Sequence, residues 1–246
     1  MVLRKRPPNI NNFLCALKGE QSTQRHLFEL FMDVPVYEYF AGHPLKSWSK
    51  LDLLQLEIDG FYSAGYDYAT THGGNLVFPI KERKQASSYS ANTGGVIKDW
   101  KNFYDYPWPD IQHFDCDHLE QASKMLPEGM KLGIMGPGGI LETVTSLIGY
   151  EDMCYMSIEN PELLQAIFDK VGESFVAYYQ SAVIYDSVAF LISNDDWGFK
   201  QQTFLSVNDM KRYVFPWHKK IVETAHKYII KRKYAADIPL AASLTA

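Results

Sequence analysis

The chain has 246 residues, 46% of them hydrophobic and 22% charged, which is typical of a globular protein with one large domain or two small ones. Its formal net charge of -5 at pH 7 provides no basic footprint for nucleic acid, so we expect no such partner. No apolar run reaches the length of a signal-peptide core or a membrane span, which predicts a cytoplasmic protein without membrane contact.

Apolar segments alternate with helical patterns along most of the chain. The spacing of apolar side chains predicts a helix over residues 48–64, closed by Gly65. A longer helix is predicted to begin at residues 160–162 (Asn-Pro-Glu) and to end near Tyr185. Such alternation indicates a parallel β-sheet covered by helices. The segments that predict buried strands are residues 25–32, 66–71, 130–135, 188–193 and 228–230.

Residues 76–112 interrupt this alternation. Residues 76–80 and 87–89 predict a hairpin, and an aromatic, proline-rich piece follows at residues 100–109. The segment is too long for an ordinary connection between a strand and a helix. We therefore expect an insertion that folds over the mouth of a barrel.

Polar and glycine-rich residues follow three of the predicted strands. They occupy residues 72–75 (His-Gly-Gly-Asn), 136–139 (Gly-Pro-Gly-Gly) and 194–198 (Asn-Asp-Asp-Trp-Gly). Parallel barrels place their chemistry at the carboxyl ends of the strands, so these segments predict a single catalytic rim. Ordinary turn composition is the alternative interpretation. Residues 136–139 also precede a predicted helix. They could bind an anion at its N-terminus, or they could simply form a tight turn between strand and helix.

The predicted site residues come from this rim. Asp195 and Asp196 are adjacent, so their side chains diverge in an extended chain and at most one is expected to face a pocket. The other is expected to cap or brace the following loop, and the pattern leaves open which is which. The predicted catalytic residues are Asp195, Asp196 and His72, and the predicted substrate-binding residues are Asn75, Gly136, Asn194, Trp197 and Gly198.

A group of His, Asp and Cys side chains lies within residues 113–118. Its spacing matches no strong metal-binding motif. Asp117 and Glu120 instead form an Asp-x-x-Glu capping box for a helix that ends near Leu126. The three cysteines of the chain form no Cys-x-x-Cys pair, so we predict neither a disulfide framework nor a metal site.

Four pieces of the chain resemble, in order and spacing, the uroporphyrinogen decarboxylase superfamily. That group includes the haem-pathway decarboxylase and the cobamide-dependent methyltransferases that act with methylated corrinoid proteins. The likeness covers about residues 10–230. The pieces are residues 65–68, the Gly136-Pro137 turn with Leu141, the helix start at residues 160–164, and residues 195–198 followed by Ser206 and residues 215–221.

The resemblance implies a (β/α)8 TIM-barrel fold. By this likeness residues 1–246 are a single barrel domain, with the insertion at about 76–112 and a divergent tail at about 231–246. A complete family member continues further, so we expect an incomplete, C-terminally truncated barrel of about five of the eight βα units.

The two branches of the superfamily differ in the substrate that they bind. The decarboxylase binds a tetrapyrrole with many carboxylates, and an arginine-rich segment at the end of its first strand is suited to bind them. The corresponding residues 32–38 of this chain contain two acids and no arginine. We therefore predict a parent activity of methyl transfer in a corrinoid (cobamide) system. The alternatives are uroporphyrinogen decarboxylation, a carboxy-lyase reaction of porphyrin metabolism, and an inactive fragment or interaction module. The predicted partner is a corrinoid protein or a tetrapyrrole-type small molecule, with a homodimer left open.

The methyltransferase branch uses zinc to bind and activate a substrate thiolate. The resemblance implies a His-x-Cys pair of ligands just after Ile230 and a later cysteine. Residues 231–234 instead read Lys-Arg-Lys-Tyr, and no cysteine follows. We therefore expect no cofactor within this chain, and zinc only if the missing C-terminal ligands were present.

Overall fold

The protein folds around a small parallel β-sheet. The computed structural model describes residues 6–20, 26–80 and 95–229. Within these residues the sheet has three strands, β1 (Tyr68–His72), β2 (Lys131–Met135) and β3 (Val188–Ile192), in the order β1-β2-β3. Both pairings are parallel. These strands confirm three of the predicted strands to within two residues at either end.

Helices follow each strand, as the alternating pattern predicts. The helices are α1 (Ile10–Leu17), α2 (Val34–Ala41), α3 (Lys50–Ala64), α4 (Trp100–Asp105), α5 (Asp117–Met125), α6 (Ile140–Ile148), α7 (Tyr150–Glu159), α8 (Pro161–Val183), the short α9 (Val207–Asp209), a π-helical turn at Met210–Val214, and α10 (Phe215–Ile229). Parallel strands joined through helices form part of a (β/α)8 barrel, which confirms the predicted fold class.

Local sequence explains where the two best-predicted helices begin and end. The Ser49 side chain caps α3 by accepting a hydrogen bond from the backbone, and Gly65 ends the helix at a φ of 101°, which favours glycine. Asn160 caps α8 in the same way, and Pro161 occupies its first turn. Both helices bury one face against the sheet, because their apolar side chains recur at helical spacing.

Helix α8 supports the carboxyl ends of β2 and β3 from beneath. The hydroxyl of Tyr178 donates to the carbonyl of Met135 at 2.7 Å and accepts from the amide of Gly73 at 2.6 Å. The neighbouring Tyr179 hydroxyl donates to the carbonyl of Ile192 at 2.7 Å. Both tyrosines are fully buried, so these hydrogen bonds hold the last residues of β2 and β3 in place against α8.

An ion pair closes the opposite end of β1. The guanidinium of Arg6 donates to both carboxylate oxygens of Asp67 at 2.7 Å, and the amide of Asn9 donates to the same carboxylate at 2.9 Å. Asp67 is buried, so this bidentate contact ties the segment before α1 to the strand entry.

Two predicted strands are wrong. Residues 26–33 contain no strand; this segment is held instead by side chains of β1, with Thr70 Oγ1 donating to the carbonyl of Leu30 at 2.6 Å. Its apolar residues are partly exposed, Phe31 by 53%, because they do not all pack on one face. Tyr228 continues α10, because the buried Ile221 and Ala225 extend a helical spacing towards it. Arg25 and Ile230 lie outside the described residues.

The predicted insertion is described in part. Residues 76–80 form no strand, and residues 87–89 of the predicted hairpin lie outside the described residues, as does the tail from residue 231. The aromatic piece forms α4 and a cluster in which Trp108 lies 5.3 Å from Phe103 and 4.6 Å from Tyr106, measured between ring centroids. In the part of the chain that the structure describes, no helix is long and apolar enough to cross a membrane.

Candidate functional site

The carboxyl ends of the three strands lie at one height. His72, Met135 and Ile192 are partners in the register of the sheet, so the residues that follow them emerge side by side. His72 at the end of β1, Gly136 after β2 and Asn194 after β3 line one cavity of about 400 Å³. The structure thus brings together three of the residues that the sequence predicts for the rim.

A second cavity lies beside the first. It has a volume of about 530 Å³ and shares Pro137, Gly138 and Glu142 with its neighbour. Asp196 lines it from the β3 side. The opposite wall is apolar and comes from residues 76–80, so the start of the predicted insertion does reach the rim.

Asp195 and Asp196 point in different directions. The Asp195 side chain is fully buried and faces the start of α6, whereas Asp196 is exposed and lines the second cavity. Asp196 also accepts a hydrogen bond from the amide of Gly198 at 3.2 Å, which braces the following turn. Asp195 lines neither cavity, so the geometry gives it a structural role, and its predicted catalytic role stays a prediction.

The N-terminus of α6 holds carboxylates of the protein itself. Asp195 accepts hydrogen bonds from the amides of Leu141 at 2.9 Å and Glu142 at 3.1 Å. The Glu142 side chain accepts a third from the amide of Gly139 at 2.7 Å. Of the two interpretations of residues 136–139, this arrangement favours the tight turn, because the amides of Gly139, Leu141 and Glu142 already have carboxylate partners.

Helix α10 adds a histidine that sequence reasoning left without a role. His218 Nε2 lies 3.0 Å from Oδ2 of Asp195, and His218 Nδ1 lies 3.1 Å from the hydroxyl of Ser193. The His218 side chain is 12% exposed, so the three groups form a nearly enclosed network. His218 lies within residues 215–221, one of the segments that carry the family resemblance. The sequence alone, however, does not show that His218 is close to a strand end.

A buried glutamate in α3 is the second residue that sequence reasoning missed. Glu57 lines the first cavity and is 5% exposed. Burial raises its pKa to about 8, while a hydrogen bond with Thr71 acts in the opposite direction. An acidic residue within an amphipathic helix is ordinarily assigned to the solvent-exposed face, so the sequence pattern gave no reason to place Glu57 in a cavity.

Two histidines lie close together, and one of them, His72, lines the first cavity. His118 Nε2 contacts the carbonyl of His72 at 2.9 Å. Loss of surrounding water lowers the pKa of both rings, although His72 keeps solvent contact. A lowered pKa leaves His72 neutral at pH 7, with a ring nitrogen able to accept a proton.

The cavities are acidic. Burial raises the pKa of Glu142, and the nearby charge of Asp195 raises it further. Neither lysine nor arginine occurs among the described residues that line the two cavities. A ligand that carries several carboxylates therefore finds no charge-assisted partner in this lining.

Three predicted binding residues line neither cavity. The Asn75 side chain accepts from the amide of Asp115 at 3.0 Å and so holds a loop. Trp197 packs against Phe215, with ring centroids 5.1 Å apart. Gly198 forms an antiparallel bridge outside the sheet. Their predicted role in substrate binding stays a prediction that this arrangement does not support.

The side chains that the structure describes do not fit a metal ion. In residues 6–20, 26–80 and 95–229 there is no group of three His, Cys, Asp or Glu side chains placed to hold one. Within residues 113–118, Asp115 pairs with Lys50 at 2.6 Å. Burial raises the pKa of Cys116 to about 11, which disfavours the thiolate that a metal requires. The positions just after Ile230, where the resemblance implies zinc ligands, lie outside the described residues.

Comparison with known proteins identifies the fold and the family. The sequence model described as uroporphyrinogen decarboxylase (URO-D) matches residues 105–239. Among solved structures, a methyltransferase from Methanosarcina mazei matches with a TM-score of 0.56 at 13% sequence identity, over 87% of this chain and 66% of that one. This chain thus spans slightly less than two thirds of that protein, and at such identity the likeness shows the fold alone. Comparison with curated proteins gives no match.

Proposed function

Because the chain belongs to the uroporphyrinogen decarboxylase family, we propose that its activity is methyl transfer in a corrinoid system, with a methylated corrinoid protein as the methyl donor. One observation carries this choice over tetrapyrrole decarboxylation. The described lining of both cavities contains carboxylates and neither lysine nor arginine. A substrate with many carboxylates calls for guanidinium or ammonium partners at those positions. The solved methyltransferase of the same fold is consistent with the choice.

In this proposal His72 takes up the proton of the methyl acceptor. The lone pair of the acceptor forms the new bond to the methyl carbon. The bond between that carbon and the donor breaks, leaving its electron pair on the donor. The acceptor then loses its proton to the neutral ring of His72, whose lowered pKa keeps it unprotonated at pH 7. Asn194 and the backbone at Gly136 border the same cavity and would orient the acceptor.

The test follows the donor directly. The full chain is mixed with a methylated corrinoid protein, or with methylcobalamin, and a small thiol or amine acceptor. Loss of the methylated corrinoid is followed by absorbance, and the methylated product by mass spectrometry. We expect demethylation that depends on the protein and is reduced in His72→Gln.

A parallel reaction with uroporphyrinogen separates the alternatives. Loss of carboxyl groups from uroporphyrinogen, without any demethylation of the corrinoid, would overturn the proposal in favour of decarboxylation. Absence of both reactions in a folded sample would favour a non-catalytic interaction module.

A further inference from the structure

The first cavity contains buried oxygen atoms without hydrogen-bond partners. Glu57 Oε2 and Asn194 Oδ1 are both buried, and neither has a partner in the described structure. Both residues line the cavity of about 400 Å³. Buried acceptors are nearly always satisfied in folded proteins, by the protein, by water or by a ligand. A ligand that donates hydrogen bonds would satisfy both atoms, with Glu57 in its carboxylate form.

The remaining wall of the cavity is apolar. Leu30, Met32, Leu53 and Met135 contribute hydrocarbon and thioether surface, and Tyr37 contributes an aromatic ring. A cavity of this volume with few polar groups matches the usual form of a small-molecule site. The ligand should therefore combine a donor group with a short apolar body.

Charge restricts the donor group further. The titratable groups that border the cavity are Glu57 from α3, His72 from β1, Glu142 from α6 and Tyr37 from α2. None of these carries a positive charge at pH 7 when His72 is neutral. An anionic ligand would meet two acids here, whereas a cationic ligand would gain an ionic partner.

We propose that the first cavity binds a small aliphatic amine in its ammonium form, with Glu57 as the ionic partner and Asn194 as a second acceptor. The hydrocarbon part of the amine packs against the apolar wall. Binding of the amine does not depend on which reaction the protein catalyses.

Proton release gives the proposal a distinctive signature. In the free protein Glu57 is largely protonated at pH 7, because burial raises its pKa to about 8. An ammonium group beside it favours the carboxylate, so binding must expel the carboxyl proton. Binding of a neutral or anionic ligand would expel none.

The probe is n-butylammonium chloride, titrated into the full chain by isothermal titration calorimetry at pH 7. Repeating the titration in phosphate and in MOPS, whose ionisation enthalpies differ, counts the protons released. n-Butanol and sodium butyrate serve as neutral and anionic isosteres. We expect saturable binding of n-butylammonium with release of about one proton and weaker binding of both isosteres. Butyrate binding as tightly as the amine, or absence of saturable amine binding, would overturn the proposal.

Matched variants locate the site. Glu57→Gln keeps the size of the side chain and should weaken n-butylammonium binding by about tenfold or more and abolish proton release. Glu173→Gln changes an exposed glutamate within a helix and should alter neither. Unchanged affinity in a folded Glu57→Gln protein would overturn the assignment. If that variant does not fold, the proton count of the wild-type chain decides alone.

The outcome is independent of the methyl-transfer assay. Amine binding with proton release, but without methyl transfer, would leave this inference in place and remove the proposed function. Methyl transfer to a thiol in a protein that binds no amine would do the reverse.

Discussion

His218 Nε2 lies 3.0 Å from a carboxylate oxygen of Asp195, and through this contact α10 is joined to the carboxyl end of β3. The same carboxylate accepts two amides at the start of α6. One buried side chain therefore connects a strand end with two helices that are distant in sequence. We therefore expect substitutions of Asp195 to destabilise the rim much more than substitutions of the adjacent Asp196.

Replacing Asp195 should cost much more stability than replacing Asp196. Asp195→Asn removes the charge that two amides and His218 share, and we expect a loss of about 3 kcal/mol in the free energy of unfolding. Asp196→Asn alters an exposed side chain and should cost about 0.5 kcal/mol or less. Urea denaturation of both variants makes the comparison. Equal losses would show that Asp195 does not hold the three elements together.

The pairing of His218 with Asp195 should appear as an energetic coupling. In a double-mutant cycle of His218→Ala and Asp195→Asn, we expect a coupling of about 1–3 kcal/mol, because each single change already breaks the contact. The control cycle combines His218→Ala with Asp196→Asn, whose side chain points elsewhere, and should give a coupling near zero. Strict additivity in the first cycle would contradict the contact.

Stability should fall as pH rises because of Glu57. The folded-state pKa of Glu57 is raised to about 8, above its value in the unfolded chain. The unfolded state therefore releases this proton first, and the free energy of unfolding decreases between about pH 4.5 and pH 8 before this contribution levels off.

Glu57→Gln should flatten this part of the pH profile. The variant should be more stable than the wild type near pH 7 by an amount on the order of 3 kcal/mol. Urea denaturation at a series of pH values measures it, with the exposed Glu173→Gln as control. A wild-type profile with the same slope as Glu57→Gln would mean that Glu57 ionises normally.

A side chain at position 139 should disrupt the rim. A Cβ atom built on Gly139 overlaps the carboxylate and the backbone of Asp195, so Gly139→Ala must move the segment that follows β3 away from α6. We expect a loss of about 2 kcal/mol or more in the free energy of unfolding. Gly74→Ala is the comparison, because the nearest atom to its Cβ would be the sulfur of Cys116 at 3.2 Å, and the change should cost less.

If His72 accepts a proton during methyl transfer, the rate should depend on its ionisation. Its pKa is lowered by loss of water, so it stays neutral as pH falls below the ordinary value for histidine, and activity should persist there. His72→Gln should lower kcat about a hundredfold and remove the acidic limb of the pH–rate profile. An unchanged limb in the variant would assign that ionisation to another group.

Sequence patterns predicted the parts of the fold that depend on local order. The strands of β1, β2 and β3 stood out because apolar runs end at polar residues, and α3 and α8 because caps and helical spacing agree. The segment 26–33 and the end of α10 failed because an apolar run does not by itself distinguish a strand from an extended loop or a helix. That choice depends on tertiary partners.

The site was predictable only in outline. That His72, Gly136 and Asn194 share a cavity follows from parallel strands ending together, which a sequence can indicate. The roles of Glu57 and His218 depend on how far a helix lies from a strand end, which no local pattern records. The same limit applies to Asp195, since its partners at Leu141 and His218 are far away in sequence.

Tyr178 and Tyr179 anchor β2 and β3 through hydrogen bonds to the carbonyls of Met135 and Ile192, the last residues of the two strands. Because these bonds go to backbone atoms, side chains of the turns that border the cavities can be replaced without breaking them, except at Gly73 and Gly136, where an added Cβ would collide with side chains of the core. Descendants of such a scaffold are free to acquire new ligand preferences by altering a few rim positions. Directed evolution of this protein should accordingly target the turns and spare the tyrosine pair.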